Sequence, residues 1–168
     1  AAEDRKSAES LSGEPFMDID GNSSPGNFCP QGEIWKNSYL KPVYRMLADA
    51  GPEFIWIDDD LRLHNHGAAS YGCFCDGCFR KLSEYFGFHG SRREFADFFD
   101  RGSAEELRER RLKMLEWNRQ VLASAFIFIR QTVHEVNPDI ILGKMDCLDL
   151  WESDRKRQAP LLGGEGGG

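Results

Sequence analysis

Three thiols stand within six residues at Cys73-Phe-Cys75-Asp-Gly-Cys78, and a fourth, Cys29, precedes them in the chain. Thiolates bind zinc as four ligands on a tetrahedron with Zn–S distances of about 2.3 Å, and three ligands leave one corner to fill. Cys29 can fill it. It ends the loop that leads into a helix, and that helix returns the chain to the strand from which the other three cysteines hang. Four protein ligands close the shell, so the sequence predicts a structural Zn2+ that pins two loops. Reduced, merely buried cysteines or a redox pair are the competing reading, and clustering at this spacing favours the metal. His64 and His66, between the strand and the cysteine cluster, compete for the fourth position. Cys147 has no partner near it in sequence and is expected to act as a small apolar side chain.

Asp58-Asp59-Asp60 form the second constellation. They follow a short apolar run, Phe54-Ile-Trp-Ile57, and in parallel α/β folds the C-terminal ends of strands are where ligands bind. Three adjacent carboxylates repel one another, which favours keeping a proton on one of them, and a protonated carboxyl is what general-acid catalysis requires. The plainer alternative is a loop start with solvated carboxylates, where Arg62 pairs with an aspartate and holds the turn.

The elements that must position these residues are readable from periodicity. Residues 1 to 36 are rich in Gly, Ser, Pro and Asp and carry turn signals without periodicity, so a loop-rich segment is expected. From Ser38 to Ala50, Leu40, Val43, Tyr44 and Leu47 mark an amphipathic helix that Gly51-Pro52 stops. The run 54–57 is expected to be a strand buried on both faces. Phe79, Leu82 and Phe86 predict a helix ending at Gly87. Ser91 with Glu94, and Ser103 with Glu106, are capping boxes opening two more helices, the second running to Asn137-Pro138. Its charged start, EELRERRLK, reads as a solvated face. Ile140-Ile-Leu142 is a second strand, so residues 37–150 predict a βαβ arrangement with parallel strands, and 151–168 a disordered tail.

The chain has 168 residues and a net charge of -7, with 40% hydrophobic residues. Interleaved acids and bases argue against phosphate neutralisation and hence against nucleic acid. No run approaches the about 18 apolar residues of a membrane span, and the first ten residues lack the apolar stretch of a signal peptide. A soluble, cytoplasmic protein without a membrane association is the expectation.

The order Asp20-Gly21, Cys29-Pro30, amphipathic helix, Phe54-Ile-Trp-Ile-Asp-Asp-Asp60, Cys73-Phe-Cys-Asp-Gly-Cys78 and a Phe-bearing helix resembles the middle of the barrel domain of glycoside hydrolase family 42 β-galactosidases. The resemblance implies an α/β fold, a partial (β/α)8 TIM-barrel segment with a zinc-stapled loop, and a carbohydrate substrate. It also implies a retaining mechanism in which one carboxylic acid protonates the leaving oxygen and a second carboxylate, about 5 to 5.5 Å away, attacks the sugar carbon. The family's Asn-Glu pair falls on aspartates here. Asp59 takes the acid position when Asp58 is placed on the asparagine, and Asp60 takes it if the register shifts by one. Arg62, His64, His66 and Trp151 are then expected near the sugar, with Asp58 a further substrate contact. The family's nucleophile lies on a later strand, and a complete barrel takes about 250 residues, so this segment alone is expected to be inactive. Open sheet edges would then be covered by a further segment or by a second copy in a homo-oligomer. The alternative is a non-catalytic, zinc-stabilised carbohydrate-binding or interaction domain whose aspartates only accept hydrogen bonds from hydroxyl groups.

Overall fold

Proline, glycine and short polar residues deny the N-terminal stretch any strand-like alternation, yet it forms a hairpin around one carboxylate. In the computed structural model, which describes residues 14–63, 71–145 and 159–162, β1 (Pro15–Met17) pairs antiparallel with β2 (Ser23–Phe28), with a register irregularity between Pro15 and Met17. Asp18 makes the turn. Its carboxylate oxygens accept hydrogen bonds from the Asn22 amide and side chain at 2.8 and 3.0 Å, and its carbonyl accepts from Gly21 at 3.1 Å. Desolvation pushes the Asp18 carboxyl up, but these hydrogen bonds outweigh it and leave the group below its ordinary value. The hairpin lies inside the segment read from sequence as loop, because turn chemistry and not hydrophobic alternation specifies it.

The described residues fall into two compact units whose segments interleave. One takes residues up to Gly32 and Leu63–Asn118; the other takes Glu33–Arg62 and the chain from Arg119 onward.

The first unit holds the hairpin, α2 (Asp76–Phe86), α3 (Arg92–Asp100) and the start of α4 (Ala104–His134). Helix α2 ends on Gly87 at φ 64°, as the sequence indicates. Ser91 caps α3 in a reciprocal box with Glu94. The same pattern opens α4, where Ser103 donates through N and Oγ to Glu106 Oε2 at 2.7 and 2.9 Å and the Glu106 amide donates back at 3.3 Å. Hydrogen bonds from the serine amides, then from the hydroxyls, hold both glutamates below the ordinary carboxylate value. A depressed folded value means that this contribution is present above the unfolded glutamate value and is lost as pH falls through the folded one. Carboxyl-carbon NMR titration should therefore give low midpoints for both. Ser91→Ala should return Glu94 part of the way and leave Glu106 where it was; a Glu94 midpoint that ignores the substitution would refute the assignment.

The core of this unit is aromatic. Phe95 is fully buried, and six rings surround it: Phe74, Phe79, Phe86, Phe88, Phe98 and Phe99, with centroids 5.0 to 6.4 Å away. Leu82 and Met114 complete the buried cluster, with Trp117 against it. The charged start of α4 is largely exposed, but Arg110 turns inward. Its guanidinium lies 3.9 Å from the Phe98 ring centroid and donates to the Phe98 and Arg101 carbonyls, each at 2.6 Å, so it satisfies acceptors at the end of α3.

The second unit begins with a π-helical turn, Trp35–Leu40, that runs into α1 (Lys41–Asp49), then β3 (Phe54–Ile57), the rest of α4 and β4 (Ile141–Lys144). Strands β3 and β4 pair in parallel from Phe54↔Ile141 to Ile57↔Lys144, joined by a helical crossover as the sequence indicates. Ile55, Ile57 and Leu142 are buried, as are Leu122, Phe126, Ile129 and Val133 of α4. Lys144 reaches back over the Phe126 ring at 5.2 Å.

Two features depart from expectation. Burial of the strand on both faces does not hold: Trp56 is 47% and Ile141 57% exposed, so one face of the sheet is open. Among the described residues the strands form two separate two-stranded sheets and no closed barrel. On the open face Gly143 pairs with Trp56, and a Cβ at 143 would come within 2.7 Å of Phe54 and 2.9 Å of Trp56. The absent side chain lets both rings lie across the neighbouring strand. Within the tail expected to be disordered, Ala159–Leu162 form a 3-10 turn and Leu162 is buried. No helix among the described residues is long and apolar enough to cross a membrane.

Candidate metal centre

The hairpin delivers one cysteine, and the loop and first turn of α2 deliver three. Cys29 directly follows β2, and its amide donates to the Glu14 carbonyl at 3.0 Å. Cys73 and Cys75 lie in the loop before α2, with Cys75 at its N-cap, and Cys78 sits in its first turn. The loop is gripped from three sides. The Phe74 amide donates to the Met17 carbonyl of β1 at 2.8 Å. Asn118 of α4 donates through Nδ2 to the Tyr71 carbonyl at 3.0 Å. Gly72 follows at φ 127°, where a Cβ would lie 2.9 Å from Asn118 Oδ1, so both backbone and space require glycine. From α3, Arg92 reaches the carbonyl of Phe74 and the carboxylate of Asp76.

All four sulfurs lie within 4.8 Å of one another. Cys29 Sγ is 3.3 Å from Cys78 Sγ and 3.7 Å from Cys75 Sγ. A disulfide would need about 2.05 Å, and the four thiols are free. A tetrahedron built on metal–sulfur bonds of about 2.3 Å has edges of about 3.8 Å; the Cys29–Cys75 separation lies near that value and the Cys29–Cys78 separation is shorter, so the cluster is compact enough to close on one ion. The four cysteines thus form a cluster of the right size and chemistry to hold a metal ion. Cys29, Cys73 and Cys78 are buried and Cys75 half-buried. Four thiolates at this separation repel, and sharing protons relieves the repulsion. Hydrogen bonds from the neighbouring sulfurs push Cys29 and Cys78 up and pull Cys73 and Cys75 down. A cation at the centre relieves the same repulsion with charge.

The acidic turn belongs to the second unit, at the C-terminal end of β3. Asp58 and Asp60 are exposed and Asp59 half-buried, with a carboxylate oxygen of each within 4.8 Å of the others. Asp58 Oδ1 accepts from the Asp60 amide at 3.0 Å, an Asx turn, and its carbonyl accepts from Leu61. The Arg62 guanidinium spans two of the acids, 3.2 Å from Asp59 Oδ2 and 3.4 Å from Asp60 Oδ1. Nearby, the Tyr44 phenol is pushed up to about 12 by burial, with the charges of Tyr39 and Asp58 adding to the effect. The expected substrate contacts His64, His66 and Trp151, and the lone Cys147, lie outside the described residues.

Sequence reasoning missed the grips on the cysteine loop, above all Arg92. One signal was present: an arginine at the first position of a capped helix faces the positive end of the helix dipole, an unfavourable place unless a partner holds it. No protein-family model, curated protein or solved structure matches this chain significantly.

Proposed function

We propose that the cysteine cluster is a structural Zn2+ site, and that the chain is a zinc-stapled segment of a glycoside hydrolase-like barrel whose acidic turn contacts carbohydrate. The observation that carries the zinc reading is the set of sulfur separations, sized for a tetrathiolate ion. Bound there, zinc would have four protein ligands and no open position, so it would supply cross-linking and no Lewis-acid chemistry. The carbohydrate reading draws support from the acidic turn at the C-terminal end of a parallel strand, where such folds bind ligands. In a complete active site Asp59 or Asp60 would be the acid/base carboxylate, with Asp58 and Arg62 contacting the sugar.

One observation favours the second reading, a non-catalytic carbohydrate-binding or interaction domain: Arg62 already engages an oxygen of Asp59 and of Asp60, which makes these acids part of the turn's own framework. Elemental analysis together with calorimetric titration of β-galactosides separates the cases. About one zinc per chain is expected, with galactoside binding that Asp59→Ala or Asp60→Ala abolishes. Turnover of an aryl galactoside would establish the enzyme reading, whereas binding without turnover fits both readings, because the nucleophile is expected on a later strand. Absence of sugar binding overturns the carbohydrate reading and leaves the zinc site standing.

A further inference from the structure

We infer that Arg92 is a positioning residue of the metal centre, holding the three-thiol loop in ligating geometry from outside the sulfur shell. The inference rests on the metal reading of the four cysteines and extends it to a residue on another helix.

Arg92 is the first residue of α3, and its side chain is 26% exposed. Its Nε donates to the Phe74 carbonyl at 2.7 Å, and its terminal nitrogen pairs with Asp76. Phe74 and Asp76 are the residues on either side of Cys75, so one guanidinium grips the loop before and after that ligand. The Phe79 ring, one residue past Cys78, lies 5.4 Å beneath the guanidinium carbon and limits its movement. The fork geometry matters here: a carbonyl and a carboxylate lying in different directions are reached by separate N–H groups of one rigid plane, which an ammonium group cannot reproduce.

The placement also has an energetic logic. A cation in the first turn of a helix opposes the dipole, and Arg93, the next residue, is 78% exposed on its side chain and pairs with Asp97 of its own helix. Arg92 instead turns toward the cysteine loop. Outer-sphere partners that orient ligands in this way are commonly worth about 10–100-fold in metal affinity.

The test measures metal affinity directly, by competition with a chromophoric chelator, and follows the thiolate charge-transfer and d–d bands of the Co2+-loaded protein. Arg92→Ala should bind Zn2+ about 10–100-fold more weakly, with altered cobalt bands. Arg92→Lys should recover only part of the loss, since it keeps the charge and loses the fork. Asp76→Asn, at a side chain 96% exposed and so without a packing cost, should weaken binding severalfold. Thermal melts of the metal-free variants give the control. An Arg92→Ala protein that loses stability equally with and without metal, while its zinc affinity and cobalt bands match the parent, overturns the inference and makes Arg92 a structural contact only. A parent protein that binds neither Zn2+ nor Co2+ overturns the metal reading itself, so the two failures are distinguishable.

Discussion

Replacing Cys78 by serine is expected to abolish stoichiometric zinc binding and to lower the melting temperature by about 8–16 °C. The magnitude follows from mass action: metal held at about a thousand times its dissociation constant stabilises the folded chain by about 4 kcal/mol, and a chain of this size loses about 2–4 °C per kcal/mol. Cys78 is the ligand to choose because it is buried, stands 3.3 Å from Cys29, and comes from the rigid first turn of α2 while Cys29 comes from the hairpin. Its loss should uncouple these elements. Parent protein treated with a chelator should melt with Cys78→Ser. Far-UV circular dichroism should keep most of its helical signal in both, because the aromatic core around Phe95 is built from side chains that do not ligate the metal. A variant with undiminished zinc and an unchanged melt would remove the site from consideration.

Phe95→Ala carries the second large effect. A phenylalanine at zero exposure leaves a cavity that its neighbours cannot readily collapse into, and such truncations cost about 3–5 kcal/mol. Here the residue is also the common partner of six rings, five in edge or tilted geometry and Phe98 stacked, so one substitution removes every one of those pairings. Urea unfolding followed by tryptophan fluorescence is expected to show a loss in that range, with Phe95→Leu losing less. Two of the six rings, Phe74 and Phe79, sit inside and just past the cysteine loop. Phe95→Ala should therefore weaken metal binding as well, an outcome that a stability effect confined to the helices would not produce.

The sequence was most legible where local chemistry decides structure. Ser91 with Glu94 and Ser103 with Glu106 each make both bonds of a capping box, and Gly87 takes the left-handed conformation that ends α2. The spacing of Cys73, Cys75 and Cys78 implied a cluster, and Cys29 joins it. What escaped was set by distant partners. The β1–β2 hairpin has Pro15, Pro25 and Gly26 in its strands and no alternation, so only the ladder and the Asp18 turn define it. Burial of β3 on both faces was inferred from an unbroken apolar run, whereas Trp56 on the open face is there to cover Gly143. Arg92 could not be tied to Phe74 and Asp76 from sequence, because nothing local says that α3 folds back on the loop.

The Trp56–Gly143 pair also restricts which sequences this fold can visit. Because a methyl at 143 would stand 2.7 Å from Phe54 and 2.9 Å from Trp56, the three positions cannot drift independently. A lineage that gains alanine at 143 must first shrink or reorient the rings, and one that first loses the indole uncovers a glycine in mid-strand. The order of substitutions therefore matters, and related sequences should show the three positions changing together: large aromatics at 54 and 56 with glycine at 143, and smaller residues at 54 and 56 wherever 143 carries a side chain.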